Sequence, residues 1–225
     1  GSQRFVDLHQ RAPVALFDAC VRHGVRRVIQ ISALGADASA FSAYHLSKRA
    51  ADDHLRQLDL DWFVVRPSLI YGRGGGSSTV FERLARLPII MAVGDEEQML
   101  QPVHIADVVA TVVHCLFSER GQITLDVVGD ETVSFIDWMR RLRSAQGLGE
   151  APVWRIPLRL ALTLAGLGQP LSPMLRRENI LMLVKGYSAS VEPWTSVMGR
   201  PPLPFREALL KADANDVFAD IGSTT

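Results

Sequence analysis

The chain has 225 residues, enough for one domain or one and a half, and its 48% apolar and 21% charged residues are an ordinary globular balance. Lysine plus arginine (24) equals aspartate plus glutamate (24), so no basic excess is available to hold a phosphate backbone. The longest apolar stretch, from Leu158 to Leu167, contains Arg159 and is too short to span a bilayer. These features exclude nucleic acid as a partner and exclude a membrane span.

The two cysteines, Cys20 and Cys115, lie inside apolar helical patterns and do not form a Cys-x-x-Cys pair. That spacing argues against a disulfide framework and against a zinc site, and it favours a reducing, cytoplasmic setting. His104 and Asp107 lie close together, but two ligands are too few for a metal ion. We therefore predict no metal site, and we expect His104 and Asp107 to orient the start of a helix.

The first half of the chain alternates between helix and strand patterns. Apolar residues recur at helical spacing from Pro13 to His23, and β-branched residues mark a buried strand from Arg27 to Ser32. A second helix is predicted from about Ser42 to Leu58, followed by a strand from Trp62 to Arg66 that Pro67 ends. Helix, strand, helix, strand at these lengths predicts an α/β fold with a parallel sheet and crossover helices.

The second half is predicted to be mostly helical. The glycine-rich run after Tyr71 indicates a flexible loop, and one further strand is predicted from Ile123 to Val128. Ser134 is the expected N-cap of an amphipathic helix that extends to Arg143. The other helices are predicted at about Thr79 to Ala85, Ile105 to Phe117, Leu158 to Leu167, Met174 to Leu183 and Phe205 to Lys211.

Ser32, Tyr44 and Lys48 have the spacing of a proton-transfer site. Tyr44 and Lys48 are four residues apart on a predicted helix and therefore share a face. An ammonium beside a phenol stabilises phenolate and moves the phenol's pKa toward neutral pH, so Tyr44 is a candidate general acid or base. Ser32 ends a strand at the edge where parallel sheets bind ligands. The alternative is that Tyr44 is an ordinary helix residue and Lys48 a solvated one.

Three segments in order resemble the signature of extended short-chain dehydrogenases/reductases: residues 24–33, 44–48 and 65–72. Residues 102–110 and 127–134 resemble later blocks of nucleotide-sugar epimerases and dehydratases that depend on NAD. The tail, at residues 171–183 and 198–202, is more similar to the atypical branch that includes an accessory subunit of respiratory complex I. The resemblance covers nearly the whole chain, strongly to about Ser134 and weakly after it.

The resemblance implies the later part of a doubly wound, Rossmann-like parallel sheet, a small and mostly helical C-terminal substrate domain, and NAD or NADP as cofactor. It implies that Tyr44 is the catalytic acid or base, that Lys48 also holds the nicotinamide ribose, and that Ser32 orients the substrate oxygen. Tyr44 would also border the cofactor, as would Pro67 and Ser68, although Pro67 is equally well explained as a strand terminator.

The implied reaction is oxidoreduction or epimerisation at a carbinol or carbonyl carbon of a small-molecule substrate, for instance a nucleotide sugar. The alternative is a non-catalytic module that senses NAD(P) or supports an assembly, as the likeness to the complex I accessory subunit suggests. The implied division assigns residues 1–72 to the dinucleotide-binding domain, 73–100 to a substrate-side loop region, 101–120 to a helix returning to the first domain and 121–225 to the substrate domain.

Two departures from the family pattern affect what we expect. His9 stands where the family usually has an asparagine in the helix before the serine strand. The sequence also lacks the opening strand and Gly-x-x-Gly-x-x-Gly turn whose amides hold the pyrophosphate. We do not take residues 72–76 as a substitute, because the next predicted helix begins only after Ser78. We therefore expect this chain alone to bind NAD(P) weakly or not at all, and an unpaired sheet edge to favour a homo-oligomer.

Overall fold

The structure, a computed structural model, describes residues 2–72, 76–168 and 176–205. Its helices in chain order are α1 (Ser2–Val6), a π-helical turn (Asp7–Arg11), α2 (Ala12–Arg22), α3 (Ala43–Leu55), α4 (Gly76–Ala85), α5 (Ile105–Phe117), α6 (Phe135–Ala145), α7 (Leu158–Gly168), α8 (Arg177–Lys185) and α9 (Glu192–Met198). Its strands are β1 (Arg27–Ile31), β2 (Asp61–Pro67), β3 (Ile70–Tyr71), β4 (Ile90–Val93), β5 (Met99–Leu100), β6 (Val103–His104), β7 (Ile123–Val127), β8 (Val133–Ser134) and β9 (Val153–Ile156).

The described residues form two compact units. The first contains the residues up to Ser68 together with Asp107–Val128 and Ala189–Pro202. The second contains the described residues of Leu69–Ala106, Gly129–Ser188 and the segment from Leu203.

A three-stranded parallel sheet in the order β1-β2-β7 is the centre of the first unit. The central strand β2 is buried on both faces, with Phe63, Val64 and Val65 at most 1% exposed. A continuous apolar run is what a parallel strand covered on both sides requires. The structure therefore confirms the predicted α/β class, with its parallel strands and crossover helices.

Helices α2 and α3 pack against each other in the first unit. Phe17 of α2 and Leu55 of α3 join Trp62 of β2 in one apolar cluster, in which Phe17 and Leu55 are at most 2% exposed. Removing this apolar surface from water is the main term that holds the two helices in place, at roughly 25 cal/mol per Å². The cluster therefore fixes α3, which carries the predicted site residues, relative to β2.

The C-terminal segment of the first unit is held by polar contacts to α5. Arg200 forms a 2.7 Å ion pair with the buried Asp107. Trp194, which is fully buried, donates from Nε1 to Oγ1 of Thr111 at 2.8 Å. The sequence analysis did not predict α9, which carries Trp194.

The second unit is built from short strand pairs and helices. Strands β4 and β9 pair in parallel, as do β3 and β6, whereas β5 and β8 are antiparallel. The expected cap of α6 is confirmed, since the Ser134 side chain accepts a hydrogen bond from the Asp137 amide at 3.1 Å. The core of this unit contains Tyr71, Ala85, Ile90, Leu100, Val133, Phe135, Trp138, Met139, Leu142, Ala151 and Phe205.

Arg143 closes the end of α4 from the neighbouring helix α6. It is only 8% exposed, and its guanidinium donates to the carbonyl oxygens of Ala85, Leu87 and Gly149 at 2.6, 2.5 and 2.9 Å. The last carbonyls of a helix have no partner within the helix, so a side chain must satisfy them where water cannot. Arg143 therefore replaces solvent at this helix end.

Some predicted boundaries differ from the structure. Helix α4 begins at Gly76 rather than near Thr79, and α8 begins at Arg177 and extends to Lys185. The predicted helix start at Met174 lies outside the described residues, as do Arg73 to Gly75 of the glycine run and the predicted helix beyond Phe205. The paired strands β4 and β9 were missed.

The cysteines lie on separate helices and are both free thiols. Cys115 on α5 is completely buried, whereas Cys20 on α2 is half-buried. Among the described residues, we find no helix with the length and apolar character needed to cross a membrane.

Candidate functional site

Helix α3 presents Tyr44 and Lys48 one turn apart, as the sequence predicts. Ser42 is the N-cap, and its Oγ accepts a hydrogen bond from the His45 amide at 3.1 Å. A capped start fixes the helical register from its first turn. Lys48 then lies over the Tyr44 ring, with its Nζ 5.6 Å from the ring centroid.

Tyr44 is enclosed by aromatic rings from the N-terminal segment and from α3. Its ring makes edge contacts with Phe5, His9 and His45, at centroid distances of 6.0, 5.3 and 5.2 Å. Burial raises the pKa of the Tyr44 phenol to about 12, so the expected shift toward neutral pH caused by Lys48 is wrong in direction. Tyr44 therefore keeps its proton at neutral pH.

Lys48 joins α3 to the carboxyl end of β1. Its side chain is buried, and Nζ donates to the carbonyl oxygen of Ile31 at 2.7 Å. Burial lowers the pKa of Lys48, and the nearby Asp52 carboxylate opposes that shift. The ammonium has three N–H groups, so two remain for other acceptors.

Ser32 follows Ile31 and is bonded to Asp52. Its Oγ donates to Oδ2 of Asp52 at 2.5 Å, and its amide donates to the Val65 carbonyl at 2.7 Å. Ser32 is only 2% exposed. With its proton engaged by Asp52, the hydroxyl has acceptor capacity left but no second donor.

Asp52 is a site residue that the sequence analysis missed. It is completely buried, and burial raises the pKa of its carboxyl to about 6, although the Ser32 hydrogen bond and the charges of Arg56, Lys48 and Arg66 lower it. Its Oδ1 has no hydrogen-bond partner in the part of the chain that the structure describes. The available signal was its spacing, since it lies four residues after Lys48 on the same helix face.

His9 lies on the π-helical turn, stacked on Phe5 at 5.7 Å between ring centroids. Burial lowers the pKa of His9, and the positive charge of Lys48 lowers it further. A single π-helical turn inside a helix is frequent at functional sites. His9, which the sequence analysis placed where the family usually has asparagine, has its ring 5.3 Å from that of Tyr44.

Pro67 and Ser68 lie at the same sheet edge as Ser32. The Pro67 carbonyl accepts a hydrogen bond from the Leu34 amide at 2.9 Å, and the Ser68 amide donates to Val127 at 3.0 Å. Their predicted place beside the nicotinamide stays a prediction. Arg66, just before them, forms an ion pair with Asp126 of β7 at 2.6 Å.

The described residues fit the nicotinamide ribose end of a dinucleotide cofactor. Lys48 has two N–H groups that could bind the ribose hydroxyls, and the Tyr44 phenol is one helical turn away. Both lie near the carboxyl ends of parallel strands, where ligands of open α/β sheets bind. The predicted assignment of Tyr44 and Lys48 to cofactor binding is chemically consistent with this geometry.

Comparison with known proteins identifies the family. The sequence model of the NAD(P)H-binding family matches residues 3–119. The curated ceramide reductase of Caulobacter vibrioides (strain NA1000 / CB15N) is 28% identical over 172 residues, which are 75% of this chain and 53% of that protein. This chain thus spans about half the length of the curated relative.

Solved structures share the fold at low sequence identity. MoeE5 in complex with UDP-glucuronic acid and NAD is 22% identical, with a TM-score of 0.69 over 95% of this chain and 71% of that one. DesIV, a dTDP-glucose 4,6-dehydratase from Streptomyces venezuelae solved with NAD and TYD bound, is 16% identical, with a TM-score of 0.71 over 98% and 68%. The chain therefore belongs to the NAD(P)H-binding family, and its fold is similar to that of the NAD-bound structures of MoeE5 and DesIV.

Proposed function

We propose that the whole protein is an NAD(P)-dependent oxidoreductase that acts at a carbinol or carbonyl carbon, with Tyr44 exchanging the proton. The observation that carries this proposal is the Tyr44 phenol enclosed by rings, with the Lys48 ammonium 5.6 Å from its ring centroid. A half-buried phenol beside a buried ammonium is an arrangement suited to proton transfer.

The protonation state of Tyr44 favours carbonyl reduction. Because burial raises its pKa to about 12, the phenol enters the reaction protonated. It can then donate to a carbonyl oxygen as that oxygen gains negative charge, and the Lys48 ammonium stabilises the phenolate that remains. In the oxidation direction the same residues would carry the proton the opposite way.

NADH or NADPH, when bound, supplies the hydride. The chain's own residues would orient it, with Lys48 donating to the ribose hydroxyls and Pro67 and Ser68 bordering the nicotinamide. Ser32 was expected to orient the substrate oxygen, and its proton is instead donated to Asp52. We therefore propose that Tyr44 donates the hydrogen bond to the substrate oxygen. Ser32 remains a candidate acceptor of a hydrogen bond from the substrate.

Two classes of substrate follow from the relatives. The curated relative is a ceramide reductase, which favours a carbonyl on a long aliphatic molecule. MoeE5 is solved with UDP-glucuronic acid and DesIV is a dTDP-glucose 4,6-dehydratase, which favours the epimerase or dehydratase reaction of the sequence analysis. The curated reductase has the higher sequence identity, 28% against 22% and 16% for the two structures, so we place the reductase first.

Tyr44→Phe in the full-length protein tests the proposal. Oxidation of NADH and NADPH would be followed with a long-chain ketone, a quinone and an oxidised nucleotide sugar. The variant should lose at least about 100-fold in turnover, because a general acid contributes roughly 10²–10⁴-fold. The affinity for NADH, measured by calorimetry, should change much less.

Tyr187→Phe is the matched control, because Tyr187 also has a lysine near its ring, with Nζ of Lys185 5.2 Å from the centroid, but belongs to the other unit. It should retain the turnover of the unmodified protein. Binding of NAD(P)H without turnover of any substrate in the unmodified protein would instead support the non-catalytic, cofactor-sensing module.

A further inference from the structure

Tyr44, Lys48 and Asp52 form a column on α3, each four residues from the next. Residues at this spacing lie on one face of a helix. Tyr44 and Lys48 have roles in the proposed reaction, but Asp52 does not. It is nonetheless a completely buried carboxyl, and burying a charge is costly unless the charge has a partner.

Two hydrogen bonds from this column hold α3 against the end of β1. Lys48 Nζ donates to the Ile31 carbonyl at 2.7 Å, and the next residue, Ser32, donates to Asp52 at 2.5 Å. Consecutive residues of the β1 end therefore contact consecutive turns of α3. Tyr44 lies one turn from Lys48 and two turns from Asp52 on the same face of α3.

Two of the three cations that act on Asp52 are paired with other carboxylates. The positive groups that act on Asp52 are Arg56 and Lys48 on α3 and Arg66 on β2. Arg56 pairs with Asp53, and Arg66 pairs with Asp126. Lys48, in contrast, is bonded to a neutral backbone carbonyl.

We propose that Asp52 is a positioning residue that acts through Lys48, keeping the ammonium beside Tyr44 in its charged form. The negative charge offsets the cost of burying the ammonium, and the bond to Ser32 fixes where that charge lies. The link between Asp52 and Lys48 rests on their one-turn spacing on α3 and on the two hydrogen bonds that join them to consecutive residues at the end of β1. Its catalytic consequence rests on the proposed function.

The protonation of Lys48 can be measured directly, because the chain has only three lysines, Lys48, Lys185 and Lys211. Titration of ¹³Cε-labelled lysine by NMR gives a pKa for each, assigned with Lys185→Arg and Lys211→Arg. Asp52→Asn keeps the shape and an acceptor for Ser32 but removes the charge. It should lower the pKa of Lys48 by about 1 unit or more.

Asp53→Asn is the matched control, since Asp53 is the neighbouring acid on α3 but is 48% exposed. Asp53→Asn should leave the pKa of Lys48 unchanged. Asp52→Glu keeps the negative charge, so the pKa of Lys48 should be close to that in the unmodified protein. Should Asp52→Asn not fold, Lys48→Met gives the reciprocal measurement, in which the pKa of the Asp52 carboxyl should rise. Equal shifts in Asp52→Asn and Asp53→Asn, or no shift in the variant measured, would overturn the proposal.

The pH dependence of turnover in the full-length protein gives the catalytic readout. In Asp52→Asn the alkaline limb of the kcat profile should move to lower pH, because Lys48 loses its proton earlier. A purely structural role would lower turnover at every pH without moving that limb, which would overturn the catalytic consequence. A shifted Lys48 pKa in a protein without turnover would uphold the Asp52–Lys48 link and reject the proposed function.

Discussion

Replacing Arg143 by methionine should lower the free energy of unfolding by about 3 kcal/mol, because three carbonyl oxygens lose a charged donor. Methionine retains most of the apolar stem, so the loss reports on the guanidinium rather than on packing. A hydrogen bond to a charged group contributes roughly 1.5–3 kcal/mol, partly offset here by the cost of burying the guanidinium. Urea unfolding followed by circular dichroism measures the change.

Arg140→Met is the control for this prediction. Arg140 lies on the same helix, but its side chain is 54% exposed and its ion pair with Asp137 is exposed and 3.5 Å long. Exposed pairs contribute little, so its removal should change the stability by less than about 0.5 kcal/mol. Comparable losses in the two variants would contradict the idea that Arg143 acts by closing the end of α4.

The second large effect is a pH-dependent loss of stability caused by Asp52. Its pKa is raised from the ordinary 3.8 to about 6, so the folded state binds a proton more tightly than the unfolded state between these values. The stabilisation is complete below the unfolded pKa and disappears as the pH rises through the folded pKa. A difference of about 2 pKa units corresponds to roughly 3 kcal/mol.

The contribution of Asp52 is isolated by subtracting the stability profile of Asp52→Asn from that of the unmodified chain. The difference should fall by about 2.5 kcal/mol between pH 4 and pH 7, because the other titrating groups cancel. Hydrogen exchange of the β2 amides from Phe63 to Val65 measures the free energy of unfolding of the first unit at each pH. A flat difference profile, or the same slope in Asp53→Asn, would reject the raised pKa.

The longer elements could be predicted because their patterns are local. The apolar run of β2, the Ser134 cap of α6 and the helix from Ile105 to Phe117 all follow from neighbouring residues. The two-residue strands could not be predicted in this way. A pair such as β5 and β8 joins Leu100 to Val133, and so few residues carry no periodicity of their own.

The same limit applies to the candidate site. Tyr44 and Lys48 could be placed together because both lie on one helix. The bond between Ser32 and Asp52 joins residues 20 positions apart in the chain, and a strand and a helix must pack before it forms. The ring contacts of Phe5 and His9 with Tyr44 could not be predicted either, because they also join segments that are distant in the sequence.

The unequal burial of the two cysteines has a consequence for spectroscopic labelling. Burial raises the pKa of the Cys115 thiol to about 11, so roughly one molecule in ten thousand carries a reactive thiolate there at neutral pH. Cys20 is half-buried on α2, the helix that packs against α3. A maleimide dye added to the folded chain would therefore attach at Cys20 and report on the helix pair that carries Tyr44, without any engineered cysteine.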